Sequence, residues 1–196
     1  SVAAWIVLGL VVVVALWAVS AYNRLVELRN RIANAFGQID VQLKRRYDLI
    51  PNLVEVARGY LQHEASTLEA VIQARGQAQG AAAAARVAPT NAGAVGALAV
   101  AEGALGASLG RLMVVSERYP ELKADATMQS LSEELASTEN RVGFSRQAFN
   151  DQVLEFNNAA QQFPTLIVAR LANFTPAAML ESTRSEEERA APQVKF

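Results

Sequence analysis

The chain has 196 residues and a formal net charge of −1, with 18 Lys and Arg against 19 Asp and Glu, so it lacks the cationic excess that a nucleic-acid binder needs. It contains no cysteine and one histidine, His63, which excludes disulfides, thiolate chemistry and a histidine-built metal centre. No cofactor is expected on this composition, and the redox compartment stays open, because a chain without thiols suits either side of a membrane.

From Val2 to Ala21 the sequence VAAWIVLGLVVVVALWAVSA carries no charge. At about 1.5 Å per residue this stretch as a helix matches the roughly 30 Å hydrocarbon core of a bilayer. Valine runs would suit a strand in water, but a lone strand cannot satisfy its backbone in lipid. Trp5, Trp17 and Tyr22 stand towards the two ends, where interfacial aromatics anchor a span. Val19-Ser20-Ala21 could pass as a signal-peptide cleavage site, but no basic segment precedes it and the apolar run is long. Residues 1–21 are therefore expected to be a retained anchor. Arg24, Arg29 and Arg31, then Lys44, Arg45 and Arg46, follow it against Glu27 and Asp40. The positive-inside rule predicts an external N-terminus and a cytoplasmic main domain.

After Tyr22 an apolar ladder runs Leu25, Leu28, Ile32, Phe36, Ile39, Leu43, Tyr47, Ile50, Val54, Ala57, Leu61, Ala65, Leu68 and Ile72, a mean step of about 3.6 residues. That period is helical, and polar residues fill the other face. Unbroken from Tyr22 to Arg75, such a helix would extend about 80 Å. Pro51 removes one hydrogen bond and crowds the carbonyl of Tyr47. Because the ladder keeps its phase across it, a kink is expected there.

Residues of about 76–108 are rich in Ala and Gly, and Pro89-Thr90-Asn91 with Gly93 marks a turn that reverses the chain. The nearly uncharged stretch 92–110 is too weakly apolar for a second span and holds Glu102. Gly106 and Gly110 have the spacing that lets helices approach closely, here expected within the domain. Pro120 follows the rungs Leu109, Leu112, Val115 and Tyr119. A further ladder then runs from Met128 through Leu135, Val142, Phe149 and Phe156 to Phe163, in alternating steps of three and four, until Pro164. Residues 167–174 suit a short amphipathic helix. The fold class expected is all-α: a single N-terminal transmembrane helix continuing into an antiparallel bundle of three to four long helices over 22–175. Residues 176–196, with Glu186-Glu187-Glu188, read as a charged, mobile tail.

Several strings along this pattern are distinctive: YNRLVELRNRIANAFGQIDVQLKRRYDLIPNLVEVARGYLQHEASTLEAVIQAR at 22–75, GRLMVVSERYPELKA at 110–124, TENRVGFSRQAFND at 138–151 and the closing VKF. Together they resemble the LemA family, from the anchor almost to the C-terminus. The resemblance implies a single-span protein of the bacterial inner membrane with a cytoplasmic helical bundle and no established biochemical activity. It also implies a link to membrane proteases and envelope stress.

Few residues could carry chemistry. His63, between Gln62 and Glu64, lacks a nucleophile and an orienting partner and reads as a bundle-edge histidine. Lys44, Arg45, Arg46 and Asp48 form the most charged local cluster. On a straight helix it stands more than about 30 Å from the lipid, too far for headgroups. It reads as a solvated face, or as a contact with a subunit or partner. Phe144 lies off the main ladder and could reach a neighbouring copy. The expectation is a non-enzymatic scaffold or adaptor that contacts the lipid bilayer, forms a homo-oligomer and engages other membrane proteins. An envelope-stress sensor, or an adaptor for a membrane protease, is the alternative.

Overall fold

The apolar run and the first ladder merge into one helix, α1 (Val2–Tyr60), which passes through Pro51 without interruption. The computed structural model describes residues 1–181. Within them follow α2 (Ala65–Val87), α3 (Ala92–Ser116), α4 (Pro120–Ala124), α5 (Ala126–Gln161) and α6 (Thr165–Leu171), with no strand. The all-α expectation is met, with four long helices and two short ones.

α1 has two parts with different surroundings. Up to Ser20 its side chains are exposed around nearly the whole circumference, and this part is long and apolar enough to cross a membrane. From Leu25 the ladder rungs are buried, down to Leu61. α5 runs antiparallel along this half, as successive contacts show: Tyr60 Oη donates to Asp125 Oδ2 at 2.9 Å, Arg45 pairs with Glu134 at 2.7 Å, Phe36 meets Phe149 edge-on at 5.9 Å, and Arg24 pairs with Glu155 at 2.7 Å. Each large side chain buried along this seam, such as Phe36 or Phe149, stabilises the fold by about 1.5–3 kcal/mol.

The first ladder overshoots the helix. α1 ends at Tyr60, so the part beyond Tyr22 is about 58 Å long instead of 80 Å. The chain reverses at residues 61–64, and α2 folds back on α1, as Arg86 pairing with Asp40 at 2.8 Å shows. Ala65 and Ile72, rungs in the continuous reading, are exposed; Leu68 is buried as expected, and Val71, Ala74, Ala78, Ala82 and Ala85 continue the buried stripe in place of Ile72. An antiparallel return buries this new stripe against α1, which a straight extension could not. The Ala/Gly-rich region turns only at residues 88–91, where Asn91 Oδ1 accepts from the Ala94 amide at 2.9 Å and caps α3; the rest of 76–108 is helical.

Pro51 is tolerated because α2 supplies what it removes. A residue with an N–H at this position would bond the Tyr47 carbonyl four residues back. Arg75 Nε donates to that carbonyl at 2.6 Å. Arg75→Met should therefore destabilise the domain by about 1–3 kcal/mol through an orphaned carbonyl. Adding Pro51→Ala, which restores the amide donor, should recover most of the loss in a thermal melt.

The second long ladder is buried or half-buried from Met128 to Ala160, but its last rung, Phe163, is exposed. α5 stops at Gln161, and α6 turns across the base of the bundle. Asn173, at φ 55°, then reverses the chain; asparagine is among the few non-glycine residues that occupy this region readily. Residues 176–181, expected as part of a mobile tail, run back along α5 with Ala177 and Leu180 buried. Asn157 accepts from the Ala177 amide and donates to its carbonyl, each at 2.9 Å. Asn150 does the same for Leu180, at 2.8 and 3.2 Å. Seven helical residues advance about 10.5 Å, and three extended residues cover about the same length. The two asparagines thus match the repeat of an extended strap. Glu186-Glu187-Glu188 and the terminal VKF lie outside the described residues.

Candidate interaction site

Around the bundle α5 packs on α1, α1 on α2 and α2 on α3, but α3 and α5 form no packed interface. The ring is open along that seam. A groove of about 920 Å³ results, with Leu43 and Arg46 of α1 at its floor, Ala99, Gly103, Gly106 and Ala107 on the α3 wall, and Asn140, Gly143 and Gln147 on the α5 wall. The Gly106 and Gly110 spacing therefore does not serve close packing within the domain. A methyl group at Gly110 or Gly143 would meet nothing within 4 Å, and one at Gly106 only Arg46 Nη2 at 3.9 Å.

The polar residues of the groove belong to a layer that ties all four long helices together. Arg46 is 5% exposed and reaches from α1 to Glu102 of α3, whose other oxygen accepts from the Tyr47 hydroxyl. Arg46 Nε also lies 2.7 Å from Glu139 Oε1 of α5, and Arg75 of α2 holds the Tyr47 carbonyl. Burial pushes the Tyr47 phenol well above its ordinary value, and the Glu102 carboxylate adds to the rise. Burial also raises the Glu139 carboxyl; the Arg46 guanidinium draws it down and the Glu102 carboxylate pushes it up again. This is the arrangement of a structural ionic layer.

The charged cluster 44–46 is dispersed by helix geometry, since consecutive side chains point about 100° apart. Lys44 and Asp48 are exposed beside a second cleft that faces α2, Arg45 is paired with Glu134 on α5, and Arg46 is inside. Of the four charged residues expected at a partner contact, Arg46 belongs to the core and cannot face a partner, whereas Lys44, Arg45 and Asp48 lie on the surface. Phe144, in contrast, is 75% exposed on the rim of the α3–α5 groove. Val100 and Val114, seven residues to either side of Ala107, are exposed along the same stripe of α3. His63 is exposed in the α1–α2 turn.

Trp5 and Trp17 lie on the apolar part of α1, and Tyr22 packs edge-on against Phe174 with ring centroids 5.7 Å apart. Among the described residues no group of three or more His, Asp or Glu side chains could hold a metal ion.

Glu102 was missed as a site residue, although the signal was present: it is the one acid in the apolar stretch 92–110, and Arg46 shares the buried phase of Leu43 and Ile50. Asn150 and Asn157 gave no signal beyond their seven-residue spacing.

An apolar N-terminal helix that runs into a packed all-α bundle, crossed by a buried ionic layer and open along one seam, defines the class of this protein: a helical bundle headed by a candidate membrane span. The chain belongs to the LemA family, whose model matches residues 35–196. It is also similar to the magnetosome protein MamQ of Magnetospirillum gryphiswaldense, 33% identical over 82 residues, or 42% of this chain. The match spans 30% of the length of that protein.

Proposed function

We propose that the protein is a single-pass membrane scaffold without catalytic activity, whose cytoplasmic bundle associates with further copies of itself through the α3–α5 seam. The observation that carries this reading is the open groove of about 920 Å³ with the exposed Phe144 on its rim and small residues along its walls. A small-residue groove next to a protruding aromatic is self-complementary: the knob of one copy fits the hollow of the next, and the reciprocal contact forms under two-fold symmetry. Aromatic anchors of this kind dominate interface energies. The uncharged segment 2–21 supports the anchoring, and Arg24, Arg29 and Arg31 directly after it support a cytoplasmic domain in the inner membrane.

Native mass measurement of the full chain in detergent tests the reading. The unaltered chain should run as a dimer or higher oligomer, and Phe144→Asp should shift it to the monomer without changing its melting temperature, since the side chain is exposed. A strictly monomeric unaltered chain overturns the proposal.

A further inference from the structure

The base of the bundle carries an apolar surface that the ionic layer and the seam leave unused. Its height follows from the pairing of α5 with α1. Glu155 sits beside Arg24 at 2.7 Å, and α5 continues six residues further, to Gln161. Six residues of helix descend about 9 Å, which on α1 leads from Arg24 to Ala18. The α5–α6 turn therefore stands level with the last turn of the uncharged segment. Phe174 confirms the height from the other side of α6, because its ring packs on Tyr22 at 5.7 Å.

α6 turns its Ala169 inward, where it is buried, with Leu166 and Val168 half-buried. Its other face leaves Ile167 and Leu171 49% and 82% exposed, and Phe163, just before the helix, 81% exposed. Ile167 and Leu171 stand four residues apart on α6 and so share one side, and Phe163 is exposed in the turn that leads into the helix. Three large apolar side chains exposed on this short helix and the turn before it are costly in water. They adjoin an apolar helix that leaves the bundle at the same level, and Arg170 in the last turn of α6 is placed to reach a phosphate from an interfacial depth. The occupant of this face is set by continuity with the segment beside it.

We infer that Phe163, Ile167 and Leu171 insert into the headgroup–acyl boundary of the bilayer beside the span, so that the helical domain is seated on the membrane at two points. This rests on the reading that residues 2–21 cross the membrane. α1 is then not a rod that holds the bundle off the lipid. The domain stands upright on its base, with the α3–α5 seam facing sideways, where a second copy in the same membrane can reach it.

The absence of cysteine makes single labels clean. Phe163→Cys, Leu171→Cys, Val14→Cys and Val41→Cys would each carry an environment-sensitive fluorophore, in the full chain reconstituted in vesicles of phosphatidylethanolamine and phosphatidylglycerol. Lipids brominated at shallow or deep acyl positions would serve as quenchers. Position 14, about 6 Å below the level of Ala18, should be quenched by deeper bromines than positions 163 and 171, which should be quenched best by shallow ones and several-fold more than position 41, on an exposed part of α1 within the bundle. Quenching at 14 with none above the level of 41 at 163 and 171 overturns the inference and leaves the span intact. So does shielding at 163 and 171 that brominated lipid does not affect and that disappears when excess lipid dilutes the protein, since a second copy would then be the occupant. Absence of quenching at 14 overturns the span itself, and the inference with it.

Discussion

Replacing Arg46 by alanine should lower the unfolding free energy by about 3–5 kcal/mol, because it strands a buried carboxylate. Glu102 would keep only the Tyr47 hydroxyl, and the carboxyl would either remain charged without a counter-ion or take up a proton. For a domain of this size the melting temperature should fall by roughly 10 °C. Glu102→Gln should cost less, since Glu139 stays 2.7 Å from Arg46 Nε. Replacing the pair together, Arg46→Met with Glu102→Leu, should cost less than Arg46→Ala, because the Glu102 carboxylate goes with its counter-ion and the Glu139 left behind is 42% exposed to water. Circular-dichroism melts of the four chains in detergent would check the series. Unchanged stability in Arg46→Ala would mean that the layer does not hold the helices together.

Glu139 adds a pH dependence of the less usual sign. Its folded-state carboxyl is raised, chiefly by burial, so the folded protein holds that proton more tightly than the unfolded chain does. The stabilisation from this group is present in acid and is lost as pH rises from the ordinary carboxylate value through the raised one. Glu139→Gln should flatten the part of the curve just above the ordinary carboxylate range and leave the melting temperature at neutral pH unchanged or slightly higher. A lower melting temperature at neutral pH would show that the contact with Arg46 outweighs the burial.

The double substitution Asn150→Ala with Asn157→Ala should release the strap from α5. It removes four side chain–backbone hydrogen bonds, two at Ala177 and two at Leu180. At about 0.5–1.5 kcal/mol each this amounts to roughly 2–6 kcal/mol locally, enough to free a segment of this length. Hydrogen exchange should show the amides of Ala177 and Leu180 losing protection by a factor of at least about 30, while those in the middle of α1 keep theirs. Equal loss throughout would mean that strap and bundle open as one unit. Phe174 packs on Tyr22 and Phe156, and Arg29 lies over its ring at 5.3 Å, so a freed strap should also loosen α6.

Much of the fold was legible because helical periodicity is a local property. The rungs from Leu25 to Leu61 are buried where the period places them, and those from Met128 to Ala160 are buried or, at Leu131, Ser145 and Gln152, half-buried. The errors occur where a local pattern cannot reveal what faces it. Leu68 to Ile72 fitted a continued ladder by spacing, but the return of α2 selected a different stripe, with Leu68 and Val71 in and Ile72 out. Phe163 continued the period of α5 and yet lies outside, because the helix ends before it. Arg46 stood in the buried phase and was read as part of a surface cluster, since its two partners are 56 and 93 residues away in sequence. The strap at 176–181 looked like tail because its anchors are two side chains on another helix.

The apolar helix that opens the chain shows the division most clearly. Its length, its lack of charge and the arginines behind it are properties of one uninterrupted stretch, and the sequence by itself determined them. What stands beside it at the level of Trp17 and Tyr22 was decided by the tertiary structure alone. The height of α6 depends on the register of α5 against α1, and that register is set by contacts such as Tyr60 with Asp125 and Arg24 with Glu155, between residues far apart in the chain.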